Sequence, residues 1–299
     1  MSQYQRLLLI ADPGMRHSAA LQRAAALAEA SGAALHIASF AGPIMPLPLL
    51  DKAIQERTRD SYLDAQRAWL KDEAGLLRSR GIDVTTEACW THEPLREILR
   101  HVAEMQPDLV IKDVQHEPAL KRAFITPLDW HLLRECPVPL HLLSGAGHPL
   151  PRKVVAAVDP SLPENQIEGL NDRIIQAANG LALQCNAELH LLHAYDLSPA
   201  YLSDASAGTV AWAADFAEEL RQSLKESFTR LADRYGVPLD RQHFVMGPPI
   251  QALPEFASEN QTDVLVMGRV HRKGLEKLVG STTEQVLYRV PCSILAVKT

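Results

Sequence analysis

The chain alternates between two hydrophobic rhythms. Short, nearly continuous apolar runs read as buried strands, and longer segments with apolar residues at three-to-four spacing read as helices. The first half predicts a strand over 6–11, a helix over 18–31 stopped at Ser31-Gly32, and a strand over 34–40. A loop with three prolines over 41–50 follows, then a long helix over 51–80 and a strand over 82–89. The half closes with a helix over 94–105, a strand over 109–112, a helix over 128–135 and a strand over 138–144. In the long helix Tyr62, Trp69 and Leu76 recur at seven, with Leu63, Leu70 and Leu77 beside them, an apolar stripe on a charged surface. The second half predicts the same order: strand 153–158, helix 165–184, strand 187–194, helix 210–235, strand 238–246, helix 249–259, strand 263–267, helix 281–289 and strand 293–298. Phe216, Leu220, Leu224, Phe228, Leu231 and Tyr235 form the stripe of its long helix. Such alternation implies right-handed crossovers and a parallel sheet covered on both faces. Ligands then sit outside the carboxyl ends of the strands, where strand order switches.

The two halves are copies. Leu7–Pro13 matches Val154–Pro160 at an offset of 147, and Leu35-His36 matches Leu189-His190 at 154. Gly81, Pro94 and Asp108 match Gly236, Pro249 and Asp263 at 155, and Leu133 and Pro137 match Leu287 and Pro291 at 154. The drift falls between elements, and the period is that of an ordinary domain. The expected division is one domain over 1–146 and another over 150–299, joined through the Gly- and Pro-bearing stretch 144–152.

Composition narrows the function classes. The chain has 299 residues, 46% hydrophobic and 22% charged, which is ordinary for a globular protein. A formal net charge of −6 and the lack of a basic run argue against nucleic-acid binding. No apolar run approaches the ~20 residues of a membrane span, and Leu7–Ala11 is too short for a signal-peptide core. Cys89, Cys136, Cys185 and Cys292 are far apart and make no C-x-x-C, so a reduced, cytoplasmic protein is expected.

The copies differ at one loop. After the strand over 263–267 come Gly268, Gly274 and Gly280-Ser281, where the first copy has Asp113, Ala119 and Thr126-Pro127. Glycines and backbone N–H groups leading into a helix suit phosphate oxygens. Ser281, Thr282 and Thr283 add hydroxyls, and Arg269, Arg272 and Lys273 add positive charge. A glycine cap followed by a Ser281–Glu284 capping box explains the same residues without a ligand.

The element order, the Asp ending each first strand, and the tail MGRVHRKGLEKLVGSTTEQVLYRVPCSILAV resemble the universal stress protein family. The first copy's TPLDWHLLRECPVPLHLL is similar to the tandem, E-type members. The resemblance spans essentially the whole chain. It implies an α/β fold of two tandem five-stranded parallel-sheet, Rossmann-like domains with helices on both faces, packed as an intramolecular pseudo-dimer through their last strands. Nucleotide-binding members carry G-x2-G-x9-G-[S/T]. Carried over, the pattern assigns ATP contacts in the second domain only: Gly268, Arg269, Gly280, Ser281 and Thr282, with Asp159 toward the adenine. His271 replaces the middle glycine, and the interval from Gly268 to Gly280 is one residue short. Lys112-Asp113 replaces the loop's start in the first copy, and an acidic side chain there repels phosphate, so no nucleotide site is expected in that copy. The function implied is that of a non-enzymatic stress-response factor, with weak ATP hydrolysis left open.

Other features have plainer readings. Asp12 reads as a turn residue. His190 and His193 point to opposite faces of a strand, and no Cys/His ligand motif appears, so no metal site is expected. Asp129-Trp130-His131 reads as packing, and Cys89 and Cys292 as small strand hydrophobes. The apolar loop 41–50, with Ile44, Met45 and Leu47, and the loop 196–209 would overhang the sheets' carboxyl ends. An apolar small molecule or a protein scaffold is therefore the alternative to a nucleotide, and a homodimer stays open beside the internal pair. Neither first-strand loop has the G-x-G-x-x-G of dinucleotide enzymes, and no nucleophile–base motif stands out.

Overall fold

A computed structural model describes residues 4–42, 51–115, 127–145, 147–161, 169–197, 214–269 and 282–298. The chain is an α/β protein that splits into two compact units: Met1–Leu150 with Ser293–Ala296, and Pro151–Cys292 with Val297–Thr299.

The first unit contains β1 (Arg6–Ala11), α1 (Ala19–Ser31), β2 (Ala34–Ala41), α2 (Lys52–Ser79), β3 (Val84–Trp90), α3 (Pro94–Met105), β4 (Leu109–Asp113), α4 (Leu128–Glu135) and β5 (Leu140–Leu143). Its strands lie in the order β3-β2-β1-β4-β5, all parallel, with Leu7 level with both Leu35 and Leu109. Along β1 Leu7, Leu8 and Leu9 are all 0% exposed, so the central strand is buried on both faces, as its unbroken apolar run predicts. Residues Ile294–Ala296 pair antiparallel with Leu140–Leu142 of β5.

The second unit contains β6 (Lys153–Ala157), α5 (Leu170–Cys185), β7 (Glu188–Tyr195), α6 (Ala214–Arg234), β8 (Gln242–Met246), α7 (Pro249–Glu259), β9 (Val264–Arg269) and α8 (Thr282–Val286), and β10 (Ser293–Lys298) ends the chain. Its parallel order is β9-β6-β7-β8, with Val155 level with His190 and Leu265.

Local chemistry sets the helix ends. The Ser18 hydroxyl accepts the Leu21 N–H to cap α1, and Gly32, at φ 71°, ends it in the left-handed region that glycine tolerates. Asp51 caps α2 through the Ile54 N–H, and Pro94 and Pro249 open α3 and α7, where no intrahelical N–H is needed.

Expectations change at α2 and α8. The buried row of α2 runs through Gln66, Leu70, Glu73, Ala74 and Leu77, whereas Leu76 is 59% exposed. Gln66 can sit at 0% exposure because its amide bonds Ser39 Oγ, Tyr62 Oη and the Pro13 carbonyl. Of the helix predicted over 281–289, Thr282–Val286 is helical, and the residues after it continue as a tight turn in which the Arg289 N–H donates to the Val286 carbonyl at 2.8 Å.

In each unit the first strand lies between the second and the fourth. Strand order therefore switches at β1/β4 and again at β6/β9, which marks the carboxyl ends of these pairs as the natural ligand crevices.

Candidate functional site

At the second unit's switch point, β6 runs into Val158 and Asp159. The last paired residues of β6 and β9 are Ala156 and Val266, so Val158 and Gly268 each lie two residues beyond the end of that pairing. Asp159 is held by its backbone: its N–H donates to Asn171 Oδ1 at 2.9 Å, and Asn171 Nδ2 donates to its carbonyl at 2.9 Å. Asn171, in the first turn of α5, is 5% exposed, and this reciprocal clamp was not foreseen from sequence. One Asp159 carboxylate oxygen accepts the Ser161 N–H and hydroxyl, forming a local turn and leaving the other oxygen outside that turn. Behind it His193, 2% exposed, donates from Nδ1 to the Val158 carbonyl at 3.0 Å. Burial lowers the pKa of His193, opposed by the negative charge of Asp159.

Gly268 lies within β9, and a Cβ there would stand 2.8 Å from a Leu170 methyl. Thr283 Oγ1 donates to the Gly268 carbonyl at 2.8 Å, tying α8 to the strand end. Arg269 follows, 5% exposed, and Thr282 opens α8 on the surface. Asp159 follows the end of β6, Gly268 and Arg269 end β9, and Thr282 begins α8. Gly280 and Ser281, like His271 and Gly274, lie outside the described residues.

The first unit treats the equivalent positions differently. Lys112, 4% exposed, donates from Nζ to Asp129 Oδ1 at 2.8 Å and to the Asp113 carbonyl at 2.7 Å. Asp129, 0% exposed, also accepts the Gln115 N–H at 2.9 Å. Asp113 Oδ1 accepts the Ala20 N–H of α1 at 2.9 Å. Where the second copy has Gly268 and Thr283, the first therefore has Asp113 and Asp129. A helix-start N–H of the kind that could bind an anion is already satisfied by a carboxylate. At the β1 end Asp12 makes the expected turn, its Oδ1 accepting the Gly14 N–H at 2.7 Å. Asp129 is more than packing, since it forms one half of a buried ion pair. The sequence signal for that pair was a lysine in an otherwise apolar strand, which requires a partner.

Among the described residues no helix is long and apolar enough to cross a membrane.

A model of the universal stress protein family matches residues 3–144 and again 151–298. Universal stress protein E of Escherichia coli (strain K12) is 28% identical over 312 residues, covering 100% of this chain and 95% of that protein. Universal stress protein E of Photorhabdus laumondii is 28% identical over 315 residues, covering 100% of this chain and 96% of its own. Among solved structures, a functionally unknown protein from Pseudomonas aeruginosa PAO1 aligns with a TM-score of 0.73 at 25% identity, over 99% of this chain and 92% of that one. A universal stress protein from Archaeoglobus fulgidus shares the fold with a TM-score of 0.68 at 16% identity, over 99% and 97% of the two chains. The family match falls once on each copy of the internal repeat, and the chain belongs to the universal stress protein family.

Proposed function

We propose that this chain is a cytoplasmic, non-enzymatic stress-response factor that binds ATP or a related nucleotide through its second unit alone. The supporting observation is the asymmetry of the two switch points. In the first, Asp113 accepts the helix-start N–H of α1 and the Lys112–Asp129 pair fills the space behind it. In the second, the equivalent strand end is a glycine, with no carboxylate at position 268. Gly268, Arg269, Gly280, Ser281 and Thr282 would take the phosphates, and Asp159 the base, as in the family pattern. Calorimetric titration of the full chain with ATP tests this. The expected result is one site per chain, lost in Gly280→Val and kept in Asp113→Asn. No heat at millimolar ATP sinks it.

A second reading keeps the fold but gives the crevice to an apolar small molecule or a protein partner. It is favoured by the Gly268–Leu170 contact, which explains that glycine by packing alone. Native mass spectrometry of the protein as purified separates the readings. A retained organic mass supports the second, and an empty chain that takes up ATP supports the first.

A further inference from the structure

The face of the first unit's sheet covered by α3 carries a cluster that the nucleotide reading does not use. His36 stands on β2, Glu87 and Cys89 on the edge strand β3, and His101 on α3. β3 alternates, so Thr85, Glu87 and Cys89 share one face, and His36 lies level with Thr85. Ligand-capable atoms of His36, Glu87 and His101 all lie within 4.8 Å of one another, and those of Cys89, Glu97 and His101 do likewise.

The hydrogen bonds orient both rings toward Glu87. His101, 3% exposed, bonds the Glu97 carbonyl through Nδ1 at 2.9 Å, and a carbonyl can only accept, so Nδ1 carries the proton. That leaves His101 Nε2 facing Glu87 Oε2 at 3.2 Å and Cys89 Sγ at 3.9 Å. A neutral ring facing a bare carboxylate would set lone pair against lone pair there, and either a proton or a metal ion between the two relieves it. His36 bonds Thr85 Oγ1 through Nδ1 at 2.8 Å, while its Nε2 is buried without a hydrogen-bond partner. A proton on His101 would satisfy the His101–Glu87 contact and leave His36 Nε2 stranded. A metal ion satisfies both rings at once. One ring nitrogen anchored on a protein oxygen and the other turned inward is the arrangement of metal-binding histidines.

We propose that His36, Glu87 and His101, with Cys89 in the fourth position, form a site for one divalent transition metal of the zinc type. Two imidazoles, a carboxylate and a thiol suit a borderline ion in tetrahedral geometry. Ligands at about 2.0–2.1 Å from zinc stand roughly 3.3 Å apart. Glu87 Oε2 already stands 3.2 Å from His101 Nε2, and the Cys89 thiol, which donates to Glu87 Oε1 at 3.2 Å, lies against the same carboxylate. A surface hollow of about 390 Å³, lined by Thr91, Glu93, Arg96, Glu97 and Arg100, shares Glu97 with the cluster and offers an approach.

The repeat supplies an internal control. Strand register equates Glu87, level with Ala38, with His243, level with Leu192, and Cys89 with Val245. His36 corresponds to His190, and the Pro94–Pro249 offset of 155 equates His101 with Phe256. In the second unit His190 Nδ1 and His243 Nε2 share a hydrogen bond at 2.9 Å, and His190 Nε2 lies 3.3 Å from Glu188 Oε2. The fold therefore accommodates a histidine at this position without the ligand set, which belongs to the first copy alone.

The test uses the full chain, stripped with a chelator and titrated with Zn2+ and then Co2+. The expected result is one equivalent of Zn2+ per chain, and a Co2+ form with tetrahedral visible bands and a thiolate charge-transfer band. His36→Gln and Glu87→Gln should each weaken Zn2+ binding by at least about tenfold, since even outer-shell partners have effects of that order. Cys89→Ser should abolish the charge-transfer band, and His190→Gln should change nothing. Zn2+ should raise the melting temperature of the parent chain but not of Glu87→Gln, a partly exposed site where misfolding is not expected. The proposal is overturned if the stripped chain takes up no Zn2+ at micromolar concentration. Equal binding by the parent, His36→Gln and Glu87→Gln would overturn it too, because the metal would then be elsewhere.

Discussion

Lys112 and Asp129 have side chains only 5% and 0% exposed, so their energetics are governed by desolvation. Lys112→Met places the second copy's residue at this position and leaves the Asp129 carboxylate, among the described residues, with the Gln115 N–H alone. Removing one partner of a buried pair costs about 3–5 kcal/mol, whereas replacing both is often near neutral. In urea denaturation Lys112→Met should lose roughly that much, and Lys112→Met/Asp129→Thr, the pair found at 267 and 283, should recover most of it. Additive losses would show that the ion pair is not what couples these positions. Gly268 poses the complementary question. A methyl there meets Leu170 at 2.8 Å, and overpacking typically costs about 1–3 kcal/mol. Gly268→Ala should destabilise by that order, and adding Leu170→Ala should relieve part of the strain. If Gly268→Ala is neutral in stability yet abolishes ATP binding, the glycine serves the ligand and not the packing.

Single elements were readable wherever local chemistry agreed with packing. The Pro-opened helices at 94–105 and 249–259 fall on their expected bounds because proline at the first turn fixes where a helix begins. The strand expected from 238 begins at 242, because Leu239–Arg241 coils into a short 3-10 turn after Pro238. The candidate nucleotide loop was readable only as residue types, and Gly280 and Ser281 lie outside the described residues. The His36–Glu87–His101 cluster was not read at all. Periodicity gives the face on which each residue lies along its own element, but not which faces of β2, β3 and α3 meet. The same limit hid the His190–His243 pair across β7 and β8. Burial, the facing His190 and Lys153 push His243 down to about 4, against the opposing pull of Asp240. Burial, its largest cause, also lowers His190. The unfolded value is about 6.5, so between about 4 and 6.5 the unfolded chain binds more protons. The contribution is complete above about pH 6.5 and is lost as pH falls toward 4. The melting temperature should therefore drop from pH 7 to pH 5, and His243→Phe should flatten that dependence. An unchanged slope in the variant would assign the loss to other groups.

At the scale of the whole molecule, duplication has given two scaffolds with the same element order and different chemistry. The first unit closes its switch point with Asp113, Lys112 and Asp129 and gathers His, Glu and Cys side chains under α3. The second has a glycine at the matching strand end and pairs His190 with His243. The copies are thus specialised in opposite directions, which predicts one ligand class per unit instead of two equivalent sites. Hydrogen exchange of the full chain reads this directly, because a ligand that binds the native state alone suppresses local opening near its site. At 100 times its dissociation constant a ligand adds about 2.7 kcal/mol of protection. With Zn2+, slowing should centre on β2, β3 and α3, residues 34–41 and 84–105, and leave 153–197 unchanged. With ATP, slowing should centre on the carboxyl ends of β6 and β9 and the start of α5, and leave 109–143 unchanged. ATP-induced protection across β4, α4 and β5 would contradict the closed first switch point. Zn2+-induced protection at β7 and β8 would move the metal to the His190–His243 pair.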